Sequence, residues 1–401
     1  MSDNVFNTYK NVKCAAPFSA IFIKKNHDNV IINPCCAMDH KSFSASLEQD
    51  KDLNYNFNKL IPIREEFISK SVAEMKDFKA CGSCAILKEG QRLHYNHLAS
   101  YDDTHNYVDE PKVKSVHLTF SNKCNLACRI CGSSSSSLWA KEAYLNSSPN
   151  HQTIPVSNFI DQFLDTKSLF YKSLLKNIKD IKNFWFSGGE PFLHEEMWEL
   201  LSHCESIDHL NLSIFYNTNG TVKFSKKEIQ LLKKFQHISI EVSIDGLFDQ
   251  AEYIRTGLDW NSWIRNFDEY YKEFKDTNIF LSVCITASVY NIYNLDEIYI
   301  YFKNKNIESV NINYVGPNSA LSIARLPLHA KDYIKNKFVN NKNLTNVLTY
   351  LDSNESFDYN KVITTIENQE SIALKYGLYK KFKPFEKLAP EWVKILKFQK
   401  A

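Results

Sequence analysis

Glycine is scarce in this chain, with 10 residues in 401, and so is any excess of charge, with 48 Lys and Arg against 46 Asp and Glu. A formal net charge of +2 removes the usual electrostatic argument for nucleic acid or an anionic membrane as the main partner. No apolar run approaches the roughly 20 residues that a membrane helix needs. The opening residues, Met-Ser-Asp-Asn-Val-Phe-Asn, have neither a basic segment nor an apolar one, so export is not expected and a cytoplasmic location is. No short internal repeat occurs, and the run Ser133–Ser137 is the one low-complexity patch. Cysteine is absent after Cys284, which argues against a second cysteine-ligated centre in the last part of the chain.

Before that point cysteine is plentiful. Ten in all, in a chain without an export signal, point to metal or redox chemistry rather than disulfides. Three fall in the stretch Cys124-Asn125-Leu126-Ala127-Cys128-Arg129-Ile130-Cys131. It follows the alternating run from Ser115 to Phe120, which reads as a short strand. Three thiols are one too few for a closed structural zinc site, and the right number for a four-iron cubane that keeps one iron open. The same three with a distant histidine would hold zinc, and that alternative stands at this point.

With glycine so rare, its positions are informative. Gly132, Gly188, Gly189, Gly220 and Gly246 all fall just past a predicted strand, where glycine supplies φ > 0 or lets backbone approach a ligand. The predicted strands are Ser115–Phe120, Asn183–Ser187, Leu210–Tyr216, Ile238–Ile244, Ile279–Ala287 and Ser309–Val315. Helical patterns separate them at Leu138–Leu145, Val156–Lys179, His194–Cys204, Ser225–Phe235, Trp263–Phe274 and Leu295–Lys303. The serine run before Leu138 offers N-cap hydroxyls or is a polar loop. Regular alternation with short connections implies an α/β fold with a parallel sheet and right-handed crossovers, its ligands held at the carboxyl ends of the strands.

The motifs lie at those ends. Gly188-Gly189-Glu190-Pro191 follows the second strand. Two glycines admit a small cationic group close to the backbone, and the carboxylate suits an ammonium; a tight turn with a capping glutamate is the plainer alternative. Thr218-Asn219-Gly220 and Ser243-Ile244-Asp245-Gly246 close the third and fourth strands. Their hydroxyl, amide and carboxylate groups can hydrogen-bond a polar ligand, and Asn and Asp also serve there as turn formers. Arg255, in Tyr-Ile-Arg-Thr-Gly, offers a fork of donors for a carboxylate. Thr286 and Asn291 stand near the end of the fifth strand. Cys204 and Cys284 read as buried structural thiols.

The cysteine loop, with the aliphatic Ile130 before its last cysteine, resembles the cluster loop of the radical S-adenosylmethionine (SAM) enzymes, and Gly-Gly-Glu-Pro sits where that family has its second motif. The resemblance implies a partial (β/α)6 TIM-type barrel over residues 111–316, with Cys124, Cys128 and Cys131 on a [4Fe-4S] cluster and SAM chelated to its open iron. Gly188, Gly189 and Glu190 would hold the amino group of SAM, while Asn219, Ser243 and Asp245 would face its ribose, its carboxylate or the substrate. Arg255 would clamp the SAM carboxylate. Reductive cleavage of SAM would release a 5′-deoxyadenosyl radical, with electrons from a flavodoxin- or ferredoxin-type donor.

Residues 1–110 carry Cys14-Ala15-Ala16-Pro17, a strand-like Phe-Ser-Ala-Ile-Phe-Ile, a turn, Val-Ile-Ile-Asn-Pro ending at Cys35-Cys36, a helical stretch with Ile63-Arg64, and Cys81-Gly82-Ser83-Cys84. Four thiolates from such a hairpin and a CxxC can share one centre. The pattern resembles the auxiliary-cluster twitch module found ahead of some radical SAM cores. That likeness implies Cys14, Cys36 (or Cys35), Cys81 and Cys84 as ligands, with Arg92 following; a zinc knuckle is the alternative. Residues 317–401 read as a helical extension whose lysines (Lys380, Lys381, Lys383, Lys387) are solvated while Phe382, Phe385 and Trp392 pack inward. The substrate class favoured by the twitch resemblance is a peptide. A small-metabolite enzyme and a non-catalytic metal-binding protein are the rivals.

Overall fold

The computed structural model describes residues 16–26, 29–35, 43–69, 111–147, 154–316, 319–352, 359–375 and 383–397. The chain forms two compact units: Met1–Asn122, Asp161–Tyr216 and Ser225–Ser239 make the first, and Lys123–Ile160, Asn217–Phe224 and Ile240–Ala401 the second. Among the described residues the nine strands are β1 (Ala20–Asn26), β2 (Asn29–Asn33), β3 (Ala45–Ser46), β4 (Ser115–Leu118), β5 (Asn183–Phe186), β6 (Ser213–Thr218), β7 (His237–Ser243), β8 (Ile279–Ala287) and β9 (Val310–Tyr314). From β4 to β9 they alternate with helices, the order of a partial (β/α)6 barrel.

In the first unit the strand order is β3-β2-β1-β4-β5-β6. The β1–β2 hairpin is antiparallel, and β1 then runs parallel to β4, pairing Ala20 with Ser115. Parallel registers continue from β4 to β5 (Val116 with Phe184) and from β5 to β6 (Phe184 with Ile214). Val116, Leu118, Phe184, Phe186 and Ile214 are all buried; two apart along each strand and in register across strands, they line one face of the sheet. The expected helix Val156–Lys179 is broken. Only Val156–Phe159, Leu169–Lys176 and Ile178–Asp180 are helical. The reason is local: the Phe163 and Leu164 amides bond to the carbonyl of Phe120, and the Asn122 side chain accepts from the Asp161 amide at 2.8 Å, so residues 161–164 lie along the end of β4. Ser168 then caps the real helix by accepting from Tyr171 N at 3.1 Å.

In the second unit β7, β8 and β9 are neighbours, and β8 and β9 are parallel. The nine residues of β8 read Ile-Phe-Leu-Ser-Val-Cys-Ile-Thr-Ala, a near-continuous apolar run. The helix Trp260–Phe274 buries Trp260, Trp263, Phe267, Tyr270 and Phe274, a spacing of three and four that makes one apolar face. Asp259 caps it, accepting from Ser262 N at 2.7 Å. Trp263 stacks on Phe267 with centroids 5.3 Å apart, and its indole N–H donates to the Asn219 carbonyl at 2.9 Å. The helix Phe248–Ile254 was not foreseen. In the last segment Phe385 and Trp392 are buried and Lys387 is exposed, as the sequence suggested. The Trp392 indole donates to the Val289 carbonyl at 2.8 Å.

Trp263 therefore joins the core to the Asn219 turn. Trp263→Ala is expected to cost about 3–5 kcal/mol, the usual range for a buried aromatic truncated to alanine. A urea titration would read this as a lower midpoint; a midpoint within error of wild type would count against the packing described.

Candidate active site

The cysteine loop lies on a strip of backbone from the far end of the helix Phe248–Ile254. Ala127 N donates to Thr256 O at 2.9 Å and Arg129 N to Ile254 O at 2.8 Å. Alternate residues are thus tied down as in a strand ladder. Gly257 has φ +99°, a left-handed value that favours glycine, and it faces the Asn125 carbonyl and Leu126 of the loop. From the other side the serine run contributes. Ser136 Oγ donates to Leu126 O at 2.5 Å and accepts from Trp139 N at 3.1 Å, which caps the helix Ser137–Ser147. Ser137 Oγ bonds to the Cys124 backbone, and the Trp139 indole donates to Cys128 O at 2.8 Å. The serines are caps, and they also splint the loop.

Arg129, inside the motif, is a residue that sequence reasoning passed over. It is buried, with its guanidinium 4.0 Å above the Tyr253 ring and its Nε donating to Tyr253 O at 2.8 Å. Gln369 donates to the Arg129 carbonyl at 2.9 Å. Nothing in the spacing announces Gln369, because its partner lies 240 residues earlier.

Two of the expected site residues, Asn219 and Arg255, meet the thiols, and a third, Asp245, pairs with Arg255. The Asn219 amide donates to Asn125 Oδ1 at 2.9 Å and stands 3.8 Å from Cys124 Sγ. Its Oδ1 accepts from the Thr221 amide and hydroxyl at 3.0 and 2.6 Å. Arg255 Nη1 is 4.0 Å from Cys128 Sγ, while its Nη2 pairs with Asp245 Oδ2 at 2.8 Å. Both members of that pair are buried, Asp245 at 0% exposure. Asp245 Oδ1 also accepts from Thr286 N at 2.7 Å, and its carbonyl from Asn291 Nδ2 at 2.9 Å. Burial raises the Asp245 carboxyl above its ordinary range, opposed by Arg255 and the Thr286 amide. Ser243, the last residue of β7, is half-buried.

Cys124 and Cys128 are half-buried and Cys131 is exposed, with Ile130 half-buried between them. Burial pushes the Cys128 thiol well above its usual range, Arg255 pulls it down, and Cys131 and Cys124 push it up. The three sulfurs therefore sense one another. Among the described residues no three His, Cys, Asp or Glu side chains converge on a single metal ion. A cubane does not require that convergence, since its thiolates bind separate irons. Three thiols without a fourth, on a loop held from both sides, fit such a cluster with one open corner.

In the first unit, Gly188 and Gly189 have φ +79° and +57°, the left-handed values that favour glycine. A Cβ on Gly188 would collide with the Thr119 side chain. Glu190 is fully buried and caps the short helix Pro191–Leu193, accepting from Phe192 N at 3.3 Å. Cys14, Cys36, Cys81, Cys84 and Arg92 lie outside the described residues. Cys35 is half-buried. Arg64 is buried over the Phe57 ring at 3.8 Å and donates to Phe57 O at 2.7 Å; burial lowers it to about 10.

A three-thiol loop at the carboxyl end of the first of six alternating strands defines the class of protein. Residues 118–303 match the model of the Radical SAM superfamily, so the chain carries a radical SAM domain. It is 25% identical over 271 residues to the radical SAM cyclopropyl synthase TigE of Paramaledivibacter caminithermalis, covering 67% of this chain and 47% of that protein. The chain thus spans about half the length of that curated relative. Among solved structures it is similar to native anSMEcpe with bound AdoMet and Cp18Cys peptide, at 17% identity, TM-score 0.40 and 67% coverage of both chains. It is also similar to Streptococcus suis SuiB bound to S-adenosylmethionine, at 15% identity and TM-score 0.36, covering 84% of this chain and 71% of that one.

Arg255→Gln would leave Asp245 buried without its countercharge. The expected loss is about 3–5 kcal/mol, measured by guanidinium denaturation. The double variant Asp245→Asn/Arg255→Gln is expected to regain part of it; a double variant weaker than the single one would show that the pair is not the source.

Proposed function

We propose that this chain is an enzyme that binds a [4Fe-4S] cluster and SAM and modifies a peptide substrate. The observation that carries the proposal is the cysteine loop, pinned by Ile254, Thr256, Ser136 and Ser137, inside a domain that matches the superfamily model. Bound there, the cluster and SAM supply a 5′-deoxyadenosyl radical for hydrogen abstraction.

The chain's own residues have separate tasks. Cys124, Cys128 and Cys131 ligate the cluster as thiolates, and Arg255 beside Cys128 favours the thiolate. Gly188 and Gly189 give a backbone surface free of side chains, and Glu190 takes the ammonium of SAM as a charge-assisted acceptor. Asn219, Ser243 and Asp245 line the SAM or substrate side of β6 and β7. Residues 1–110 form an auxiliary-cluster module with Cys14, Cys36 (or Cys35), Cys81 and Cys84 as ligands, 111–316 the barrel, and 317–401 a helical extension. A flavodoxin- or ferredoxin-type donor delivers electrons in the cytoplasm. Among the described residues no helix is long and apolar enough to cross a membrane. The likeness of the N-terminal cysteine pattern to twitch modules supports a peptide over a small metabolite, because several proteins with such modules are peptide maturases.

Anaerobic reconstitution with iron and sulfide, then dithionite and SAM, is expected to yield 5′-deoxyadenosine from wild type and none from the Cys124→Ala/Cys128→Ala/Cys131→Ala variant. Tightly held zinc with no iron uptake would overturn the proposal. Glu190→Gln is expected to weaken SAM binding roughly 10-fold or more, the worth of one hydrogen bond to a charged group. An unchanged Kd by equilibrium dialysis would remove Glu190 from that role.

A further inference from the structure

Successive strand residues point to opposite faces. On β7, Ile240 and Val242 are fully buried on one face, and Glu241 and Ser243 are half-buried on the other. Asp245 stands two residues past the end of that strand at Ser243, so Glu241 lies at most roughly 13 Å before it at about 3.3 Å per residue. Asn217 and Asn219 are likewise two apart, one beside Glu241 and the other beside Cys124. The Glu241 cluster therefore lies on the strands that lead to Asn219 and Asp245, two to four residues before them.

The cluster itself is a built site. Asn217 Nδ2 donates to Glu241 Oε2 at 2.6 Å, and Asn311 Nδ2 to Glu241 Oε1 at 2.8 Å. On the adjoining strands Asn313 Nδ2 donates to Cys284 Sγ at 3.1 Å, and Cys284 is in register with Asn311. Asn311 and Asn313 are exposed, so solvent and solutes reach this face. Burial raises the Glu241 carboxyl, and hydrogen bonds from Asn311, Asn217 and Cys284 oppose it. Among the described residues no Lys, Arg or His forms an ion pair with Glu241, and none figures among the groups that shift it. Had amide partners been its whole purpose, glutamine would serve at less desolvation cost. A carboxylate has about four acceptor directions; the two asparagines and the Cys284 thiol fill three.

We propose that Glu241, with Asn217 and Asn311, binds an alkylammonium group, either a lysine side chain or the amino terminus of a peptide, whose charge completes the carboxylate. An ammonium is a compact charge with three donors, one of which can take the remaining acceptor direction of Glu241. Calling that amine part of the substrate rests on the radical-enzyme reading; the binding itself does not.

Saturation-transfer NMR on the full chain tests this without cluster or SAM, so its failure and that of the enzyme reading are separable. The probes are N-acetyl-lysine methylamide, alanine methylamide and the uncharged N-acetyl-norleucine methylamide. Transfer to either amine, with at least fivefold less to norleucine, is expected, and the stronger amine identifies the source. Glu241→Gln is expected to weaken that amine 10-fold or more. Equal transfer to all three probes, no transfer to either amine, or an unchanged amine affinity in a folded Glu241→Gln protein would overturn the proposal. The wild-type comparison with norleucine stands even if the variant fails to fold.

Discussion

The buried pair between Asp245 and Arg255 is the contact on which the candidate site depends. Neither charge tolerates burial alone, because the desolvation cost of a single ion in the interior outweighs what scattered dipoles return. Asp245 is fixed at the end of β7 by the Thr286 amide and the Asn291 side chain. Arg255 follows the helix Phe248–Ile254 and lies in the strip that binds the cysteine loop. Fixing the guanidinium therefore fixes Ile254 and Thr256, and through their carbonyls the amides of Arg129 and Ala127. The loop takes its position from charge pairing two steps away.

A second layer backs the first. The helix Tyr359–Lys375 sends Gln369 to the Arg129 carbonyl and to the Tyr290 hydroxyl, the latter at 2.7 Å. The next residue, Glu370, accepts from the Tyr253 hydroxyl at 2.8 Å and the Phe385 amide at 2.7 Å. Tyr253, Tyr290 and Phe385 form one aromatic cluster, with Phe385 stacked on Tyr253 at 5.5 Å. The C-terminal extension thereby braces the loop from behind. A segment that composition marks only as lysine-rich and helical holds the motif's central residue in place.

Strands were legible where the apolar pattern was long: β8 spans Ile279–Ala287, the expected limits. The helix expected from Val156 to Lys179 was not, since its apolar residues Phe163 and Leu164 serve an irregular segment bonded to Phe120. The helix Phe248–Ile254 escaped notice because it is short and opens on Phe248 at φ +51°, a conformation residue types do not announce. Within the site, local spacing revealed the cysteines and glycines, whose geometry is set by their neighbours in sequence. Asp245 and Arg255 were each singled out, yet their pairing was not, and Arg129 and Gln369 were missed. Those contacts are tertiary, and a single sequence carries no record of which distant side chain fills a buried hydrogen bond.

The pairing also answers why a cation can stand beside the Cys128 sulfur without being a liability. A lone buried arginine at 4.0 Å from Cys128 would favour the thiolate strongly and cost its own desolvation in full. Asp245 bears that cost jointly and, being closer to the guanidinium than the sulfur is, leaves Cys128 with only part of the positive field; it raises the thiol where Arg255 lowers it. With Cys124 beside a neutral amide donor and Cys131 exposed, the three thiols sit in three different environments. One loop thus presents three unlike sulfurs, and the difference comes from residues outside the motif.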